Sequence, residues 1–298
     1  MSSKLNEGRV VIVTGAGQGL GRAHAHAFAA DGAAVVVNDY DADSAEAVTR
    51  EIRAAGGRAV TGVGDVADWA CGESLVATAI DQFGRLDALV NNAGFVRDRM
   101  LVSLSEDEWD SVVRVHLKGH FVMLRHAAAY WRAEAKAGRT PQARIVNTSS
   151  GAGLYGSVGQ GNYSAAKAGI AELTIQAAAE LGGYGITANA IAPSARTQMT
   201  VGAGGAMAEQ MAAPVDGSFD AMDPANVSPL VVWLGSAQSG SVTGRVFEVE
   251  GGKISVSDGW QRSVAADKGA RWDIAELGPV VGDLLAKAPV PMPVYGAR

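Results

Sequence analysis

The stretch VVIVTGAGQGLGRAHAHAFAA, Val10 to Ala30, decides the fold. An apolar, β-branched run from Arg9 to Thr14 reads as a buried strand, and the alanine-rich segment from Gly19 to Asp31 reads as a helix. Between them lies TGAGQGLG, Thr14 to Gly21. Its glycines let a backbone come close to a bulky anion, and the following helix offers unpaired N–H groups with a partial positive charge. Gly15, Gln18, Gly19, Leu20 and Gly21 thus form a cradle suited to a pyrophosphate. A plain tight turn is the alternative. Context weighs against it, because the second strand ends at Asn38 and Asp39, and Asp39 stands 18 residues past Gly21, close to the ~20 expected for a ribose-binding acid.

Asp39 also bears on the choice of cofactor. A carboxylate accepts protons from both ribose hydroxyls of NAD, whereas a 2′-phosphate would face it with like charge, at about 1 kcal/mol per charge pair even in water. NAD is expected over NADP. Two features compete with this reading: Asp39 as a cap of the next helix, and Arg22 as a neutralising neighbour.

Working outward, the same alternation repeats. Strands are expected at Ala33 to Asn38, Arg58 to Val63, Leu86 to Asn91, Ala143 to Thr148, Gly185 to Ala192 and Arg245 to Val249. Helices are expected at Asp41 to Ala55, Asp68 to Phe83, Ser105 to Lys136, Asn162 to Leu181 and Asp223 to Ser236. Ser105 and Glu108 are spaced as a capping box. Such βαβ units predict a parallel, doubly wound α/β sheet of seven strands. Two stretches break the rhythm. Residues 194–222, rich in Gly, Ala and Met, read as a lid. Residues 253–298, with Trp260, Trp272 and the ending APVPMPV, read as an extension that packs on the body or on a neighbouring subunit. One domain over residues 1–252 with an appendage is therefore expected.

Composition narrows the function. The 298 residues include 38 glycines, nearly twice the usual share of about 7 %, which excludes an ordinary helical bundle. A net charge of −6 without a basic stretch argues against nucleic acid as partner. No apolar run approaches the ~18 residues of a membrane span. The single cysteine, Cys71, has no cysteine partner for a disulfide or a zinc site. A cytoplasmic protein without bound metal is expected, and the ending GAR, unlike the peroxisomal SKL, agrees with that expectation.

Four ordered motifs carry a resemblance to the short-chain dehydrogenase/reductases. TGAGQGLG resembles that family's glycine loop, NNAG at Asn91 to Gly94 its fourth-strand motif, and YSAAK at Tyr163 to Lys167 its YxxxK, while Ser150 lies 13 residues before Tyr163. The resemblance spans Gly8 to Gly252 and implies a Rossmann-like fold. It also implies catalytic roles for Ser150, Tyr163 and Lys167, and cofactor contacts from Lys167, Asp65, Val66, Asn92, Ala93 and Gly94. Pro193 and Thr197 are expected to border the nicotinamide. Family members usually form homodimers or homotetramers, so self-association is implied.

The chemistry has its own argument. Tyr163 and Lys167, four apart, share a helical face, so an ammonium can lie near the phenol. A free tyrosine titrates near 10, and a base working near neutrality needs roughly 3 units less, about 4 kcal/mol. Lysine and the positive nicotinamide ring supply charge of the right sign. Ser150 would orient the substrate oxygen. His116, in VHLKGHF, stands where many family members have an asparagine that holds a relay water; since imidazole binds water and titrates near neutrality, the relay is expected to persist. His116 and His120 have the i, i+4 spacing of a metal pair, but no glutamate or third ligand accompanies them.

Within the family, NNAGFVRDRM, RVHLKGHF, GLYGSVGQGNYSAAK and IAPSARTQMT are similar to (3R)-3-hydroxyacyl-CoA dehydrogenase domains of multifunctional peroxisomal enzymes and to bacterial hydroxysteroid dehydrogenases. This similarity implies NAD-dependent oxidation of a 3-hydroxyacyl-CoA with a long or steroid-derived acyl group. Met199, Met207, Met211 and Met222 would suit such a chain, and Arg97 and Arg99 would meet CoA phosphates. The alternatives are a 17β-hydroxysteroid dehydrogenase acting on free steroid and a protein that senses NAD without turnover.

Overall fold

The computed structural model describes residues 4–197, 211–215, 217–257 and 259–297. All seven expected strands are present: β1 (Val10–Val13), β2 (Ala34–Asp39), β3 (Arg58–Val63), β4 (Ala88–Asn91), β5 (Ala143–Thr148), β6 (Ile186–Ser194) and β7 (Val246–Glu250). An eighth, β8 (Lys253–Ser257), joins them in the order β3-β2-β1-β4-β5-β6-β7-β8. Strands β1 to β7 run parallel, and β8 is antiparallel to β7. Its signal lay in Gly251 and Gly252, a two-residue glycine turn between VFEVE and the alternating KISVS, with Gly251 at φ +52.

Both faces of the sheet are covered, which is why its central strands are apolar without interruption. Val11, Val13, Val35 and Val37 point to one face, where they pack with Ala25 and Phe28 of α1 (Gly19–Ala30) and Val48 and Ile52 of α2 (Ala42–Ala54). Val10, Ile12, Ala34 and Val36 point to the other, against Leu75 and Ala79 of α3 (Trp69–Phe83) and residues further along the chain such as Met123 and Trp131. Strand β1 has β2 on one side and β4 on the other, so chain direction switches at its carboxyl end. That crevice is where ligands of open α/β sheets bind.

The expected helix Ser105 to Lys136 is divided. Its start is as read: the Ser105 hydroxyl accepts from Glu108 N at 3.2 Å, and the Glu108 carboxylate accepts from Ser105 N at 3.0 Å. Helix α4 (Glu106–Val113) then passes through a π-helical turn, Arg114–Lys118, into α5 (Gly119–Lys136). The turn takes in one extra residue and brings the His116 ring against Gly94. A short α6 (Gly151–Tyr155) follows β5, then α7 (Gly161–Leu181) and, past β6, α8 (Ser228–Leu234). Beyond β8 the chain is largely exposed, including Trp260, and α9 (Leu277–Lys287) buries none of its residues. Among the described residues no helix is long and apolar enough to cross a membrane.

Candidate active site

A cavity of about 560 Å³ opens at the carboxyl end of β1, β4 and β5. On one side it is lined by Gly15, Gln18, Gly19 and Leu20, and on the other by His116, Tyr163 and Lys167. Asp39, Asp65, Val66, Asn92, Ala93, Gly94, Pro193 and Thr197 complete the sequence-derived set along its walls. Gly21 and Ser150 are the two expected site residues that do not line it.

The cradle is fixed by close backbone approaches. A Cβ on Gly15, whose φ is +59, would stand 2.7 Å from Ala93 Cα, and one on Gly21 would stand 2.1 Å from Gly15 O. Gly21 thus serves the packing of α1 on its own loop. Thr14 ties loop to motif: its hydroxyl accepts from Asn92 N at 2.9 Å and Ala93 N at 3.1 Å, while Asn92 Nδ2 donates to Thr14 O and Gly15 O. Gln18, the residue before α1, makes no side-chain cap, and the first turn of α1 carries no acid. The amino-terminal N–H groups of α1 and the shape of the glycine backbone fit a dinucleotide phosphate.

At the end of β2, Asp39 accepts from Gly17 N at 2.9 Å and Asp41 N at 3.1 Å. It is not the helix cap, since Asp41 takes that role by accepting from Ser44 N at 2.7 Å. Nor does Arg22 neutralise it, because Arg22 pairs with Glu51 at 2.8 Å. Both competing readings of Asp39 are thereby removed.

On the opposite wall, Lys167 Nζ lies 5.4 Å from the Tyr163 ring centroid and donates to Thr148 O at 2.6 Å. Burial takes the Lys167 ammonium down to about 7. Burial also raises the Tyr163 phenol; a hydrogen bond with the Ser150 side chain pulls it down again and the Asp98 charge pushes it up. The sequence expectation of a lowered phenol is thus not met by the chain's own groups. The adjacent serines divide their tasks: Ser149 donates to Lys167 O at 2.8 Å and anchors α7, while Ser150 starts α6 by accepting from Ala152 N at 3.2 Å.

His116 is fully buried, its ring edge-on to Tyr163 with centroids 5.2 Å apart. Its Nε2 lies 2.7 Å from Phe95 O and 3.1 Å from Phe95 N, and its buried Nδ1 has no hydrogen-bond partner among the described residues. A Cβ on Gly94 would fall 2.0 Å from His116 Cε1, so the glycine of NNAG is set by this ring. Burial first, and Lys167 second, hold the imidazole well below its ordinary value. The expectation that it titrates near neutrality is corrected: water exclusion by Phe95, Tyr163 and the π turn keeps it neutral.

Sequence reasoning missed Arg114, which lines the cavity and bridges Asp65 and Asp68, and it missed Phe95, Thr148 and the exposed Tyr40. Arg114 opens the π turn, and composition does not announce such a turn. Arg99 is bound to Glu108 at 2.9 Å. Of the expected lid methionines, Met199 and Met207 lie outside the described residues. Met211 O accepts from Arg196 Nη1 at 2.8 Å, and Arg196 is paired with Asp220.

Comparison with known proteins agrees with this geometry. A family described as short chain dehydrogenase matches residues 9–205. The hydroxyacyl-CoA dehydrogenase ChsB1 of Mycobacterium tuberculosis is 47 % identical over 288 residues, covering 94 % of this chain and 89 % of that protein. The peroxisomal multifunctional enzyme type 2 of Mus musculus is 43 % identical over 276 residues, 89 % of this chain but 35 % of that larger protein, so this chain spans about a third of it. A crystal structure of a short chain dehydrogenase from Mycobacterium avium superposes with TM-score 0.89 at 60 % identity, covering 98 % of this chain and all of that one.

Proposed function

The chain belongs to the short-chain dehydrogenase/reductase family of oxidoreductases, and from that premise we propose that it oxidises a (3R)-3-hydroxyacyl-CoA with a long or steroid-derived acyl group, using NAD. The observation that carries the reaction type is the meeting of Tyr163 and Lys167 over the same cavity as the glycine cradle. Likeness to a hydroxyacyl-CoA dehydrogenase along 94 % of the chain supports the thioester, and Asp39, which pairs with no arginine among the described residues, supports NAD.

In this reading Gly15, Gln18, Gly19 and Leu20 hold the pyrophosphate, Gly21 lets α1 close on that loop, and Asp39 binds the adenine ribose. Asp65, Val66, Asn92, Ala93 and Gly94 form the walls, and Pro193 and Thr197 border the nicotinamide. The bound cofactor supplies the hydride acceptor and a positive ring that lowers the nearby phenol. Tyr163 takes the proton of the substrate hydroxyl, and Ser150 orients the same oxygen. Lys167 holds cationic charge beside the phenolate and binds the nicotinamide ribose. His116 stays neutral, closes the cavity behind Tyr163 and orders the relay by hydrogen bonding. The reading includes self-association, as homodimer or homotetramer, in the cytoplasm.

The test is kcat/KM for a (3R)-3-hydroxyacyl-CoA against a 17β-hydroxysteroid, each with NAD and NADP. Preference for the thioester and for NAD by at least tenfold is expected, about 1.4 kcal/mol. Preference for the free steroid would assign the second function instead, and equal use of NADP would remove the role given to Asp39.

A further inference from the structure

Phe95 lines the cavity next to His116 and carries a guanidinium on its ring: Arg97 Cζ lies 4.7 Å from the centroid. The segment that bears both residues is strapped to the approach to Tyr163. Asn162 Nδ2 donates to Arg97 O at 3.2 Å, and Asn162 Oδ1 accepts from Tyr163 N at 2.7 Å. Next to it, Arg99 N donates to Gly159 O at 2.7 Å. The backbone of Arg97 is therefore tied to the start of α7, the helix that carries Tyr163, while its side chain stays exposed beside Phe95 of the cavity wall.

Charge distinguishes it from the arginines around it. Arg22 is committed to Glu51, Arg99 to Glu108, Arg114 to Asp65 and Asp68, and Arg196 to Asp220. Among the described residues Arg97 has no carboxylate partner. The carboxylate of adjacent Asp98 is instead taken by Gln160 Nε2, at 3.1 Å to each oxygen. One Arg97 donor is used, Nη1 to Val96 O at 3.0 Å. The rest of the exposed guanidinium has no hydrogen-bond partner among the described residues. Stacking on an aromatic face limits the rotamers of the guanidinium, and its planar donors match a phosphate. In a chain of net charge −6, an anionic substrate is repelled at long range, so an exposed cation without a carboxylate partner beside the cavity wall weighs heavily.

The geometry points to Arg97, pinned on Phe95, as the residue that receives a phosphate of the coenzyme A part of the substrate and so sets the preference for CoA thioesters. This inference rests on the proposed reaction and names the side chain that selects its carrier. Phe95 acts by positioning: it fixes the guanidinium beside the cavity wall where chemistry occurs.

The experiment compares one (3R)-3-hydroxyacyl group carried by CoA and by N-acetylcysteamine, which lacks the phosphates. The wild type is expected to favour the CoA thioester. Arg97→Ala lowers that ratio of kcat/KM values about tenfold, through KM, and Arg97→Lys restores part of it. Free CoA inhibits the wild type competitively against the N-acetylcysteamine thioester, more weakly as salt rises and more weakly still in Arg97→Ala. NADH fluorescence titration verifies that each variant is folded. An unchanged ratio together with unchanged CoA inhibition overturns the inference and leaves the proposed reaction standing. A wild type that oxidises neither thioester overturns both.

Discussion

The cradle side of the molecule and its carboxyl-terminal tail are held by different means. Around Gly15, Gly21 and Gly94 the backbone and the His116 ring approach so closely that a single added carbon would fall at 2.7, 2.1 and 2.0 Å from its neighbour. Beyond Ser257 most side chains are exposed, and among the described residues the hydrogen bonds that tie this segment to the body lie near its end. There Val158 N donates to Tyr295 O at 2.9 Å, Tyr295 N donates to Gly156 O at 3.2 Å, and the Tyr295 ring lies edge-on to Tyr155. The difference shows that tolerance to change follows the closeness of packing, so substitution effects should fall steeply from the first region to the second.

A large effect is expected at Gly94. Gly94→Ala should cost about 1–3 kcal/mol and lower NADH affinity, because the added carbon would fall on the buried His116 ring, which is packed between Phe95 and Tyr163. In a double-mutant cycle with His116→Ala the two changes should couple by at least about 0.5 kcal/mol, the second relieving the first. Additive denaturation midpoints would break the claim that this ring dictates this glycine.

Lys167 offers a second contrast, between stability and function. Its ammonium is held at about 7 against an ordinary 10.5, so folding penalises the charged form. The chain is then most stable above the unfolded value and loses stability as pH falls toward 7, each unit being worth about 1.4 kcal/mol. Lys167→Met should remove the penalty and raise Tm, more at pH 6 than at pH 10, while activity is lost. A variant less stable at both pH values would contradict this.

Least affected is the tail. A chain ending at Ser257 should keep cooperative unfolding with a Tm shift of about 2–4 °C, which is about 1 kcal/mol at this size. Since Tyr295 reaches Gly151, next to Ser150, KM should move by a few-fold. Failure to fold would erase the contrast between the two regions.

The same contrast governs what could be read from sequence. Where one residue type is forced, as in TGAGQGLG, NNAG and the capping box of Ser105 and Glu108, the motif and its partners were legible, and all seven parallel strands fell where apolar runs lay. The π turn at Arg114–Lys118 was not, because one extra residue inside a helix leaves the apolar period nearly intact. Its consequences, the ion pairs of Arg114 and the neutral state of His116, were hidden with it. Strand β8 was passed over since its glycine hairpin adjoins a tail without periodicity. Proton affinities were the least readable, for they depend on burial: proximity to Lys167 argued for a lowered Tyr163, while its enclosure raises it.

Tyr163 gives the most direct test of the account. The pH dependence of kcat/KM should be measured in both directions, for wild type and Tyr163→Phe. With the phenol as the proton-transferring group, oxidation in the wild type climbs with pH, because it needs the deprotonated form, and ketone reduction falls. Tyr163→Phe still binds NADH but loses about 10²–10⁴ in rate and both slopes. A substituted enzyme that keeps turnover with the same pH profile would contradict the account at its centre.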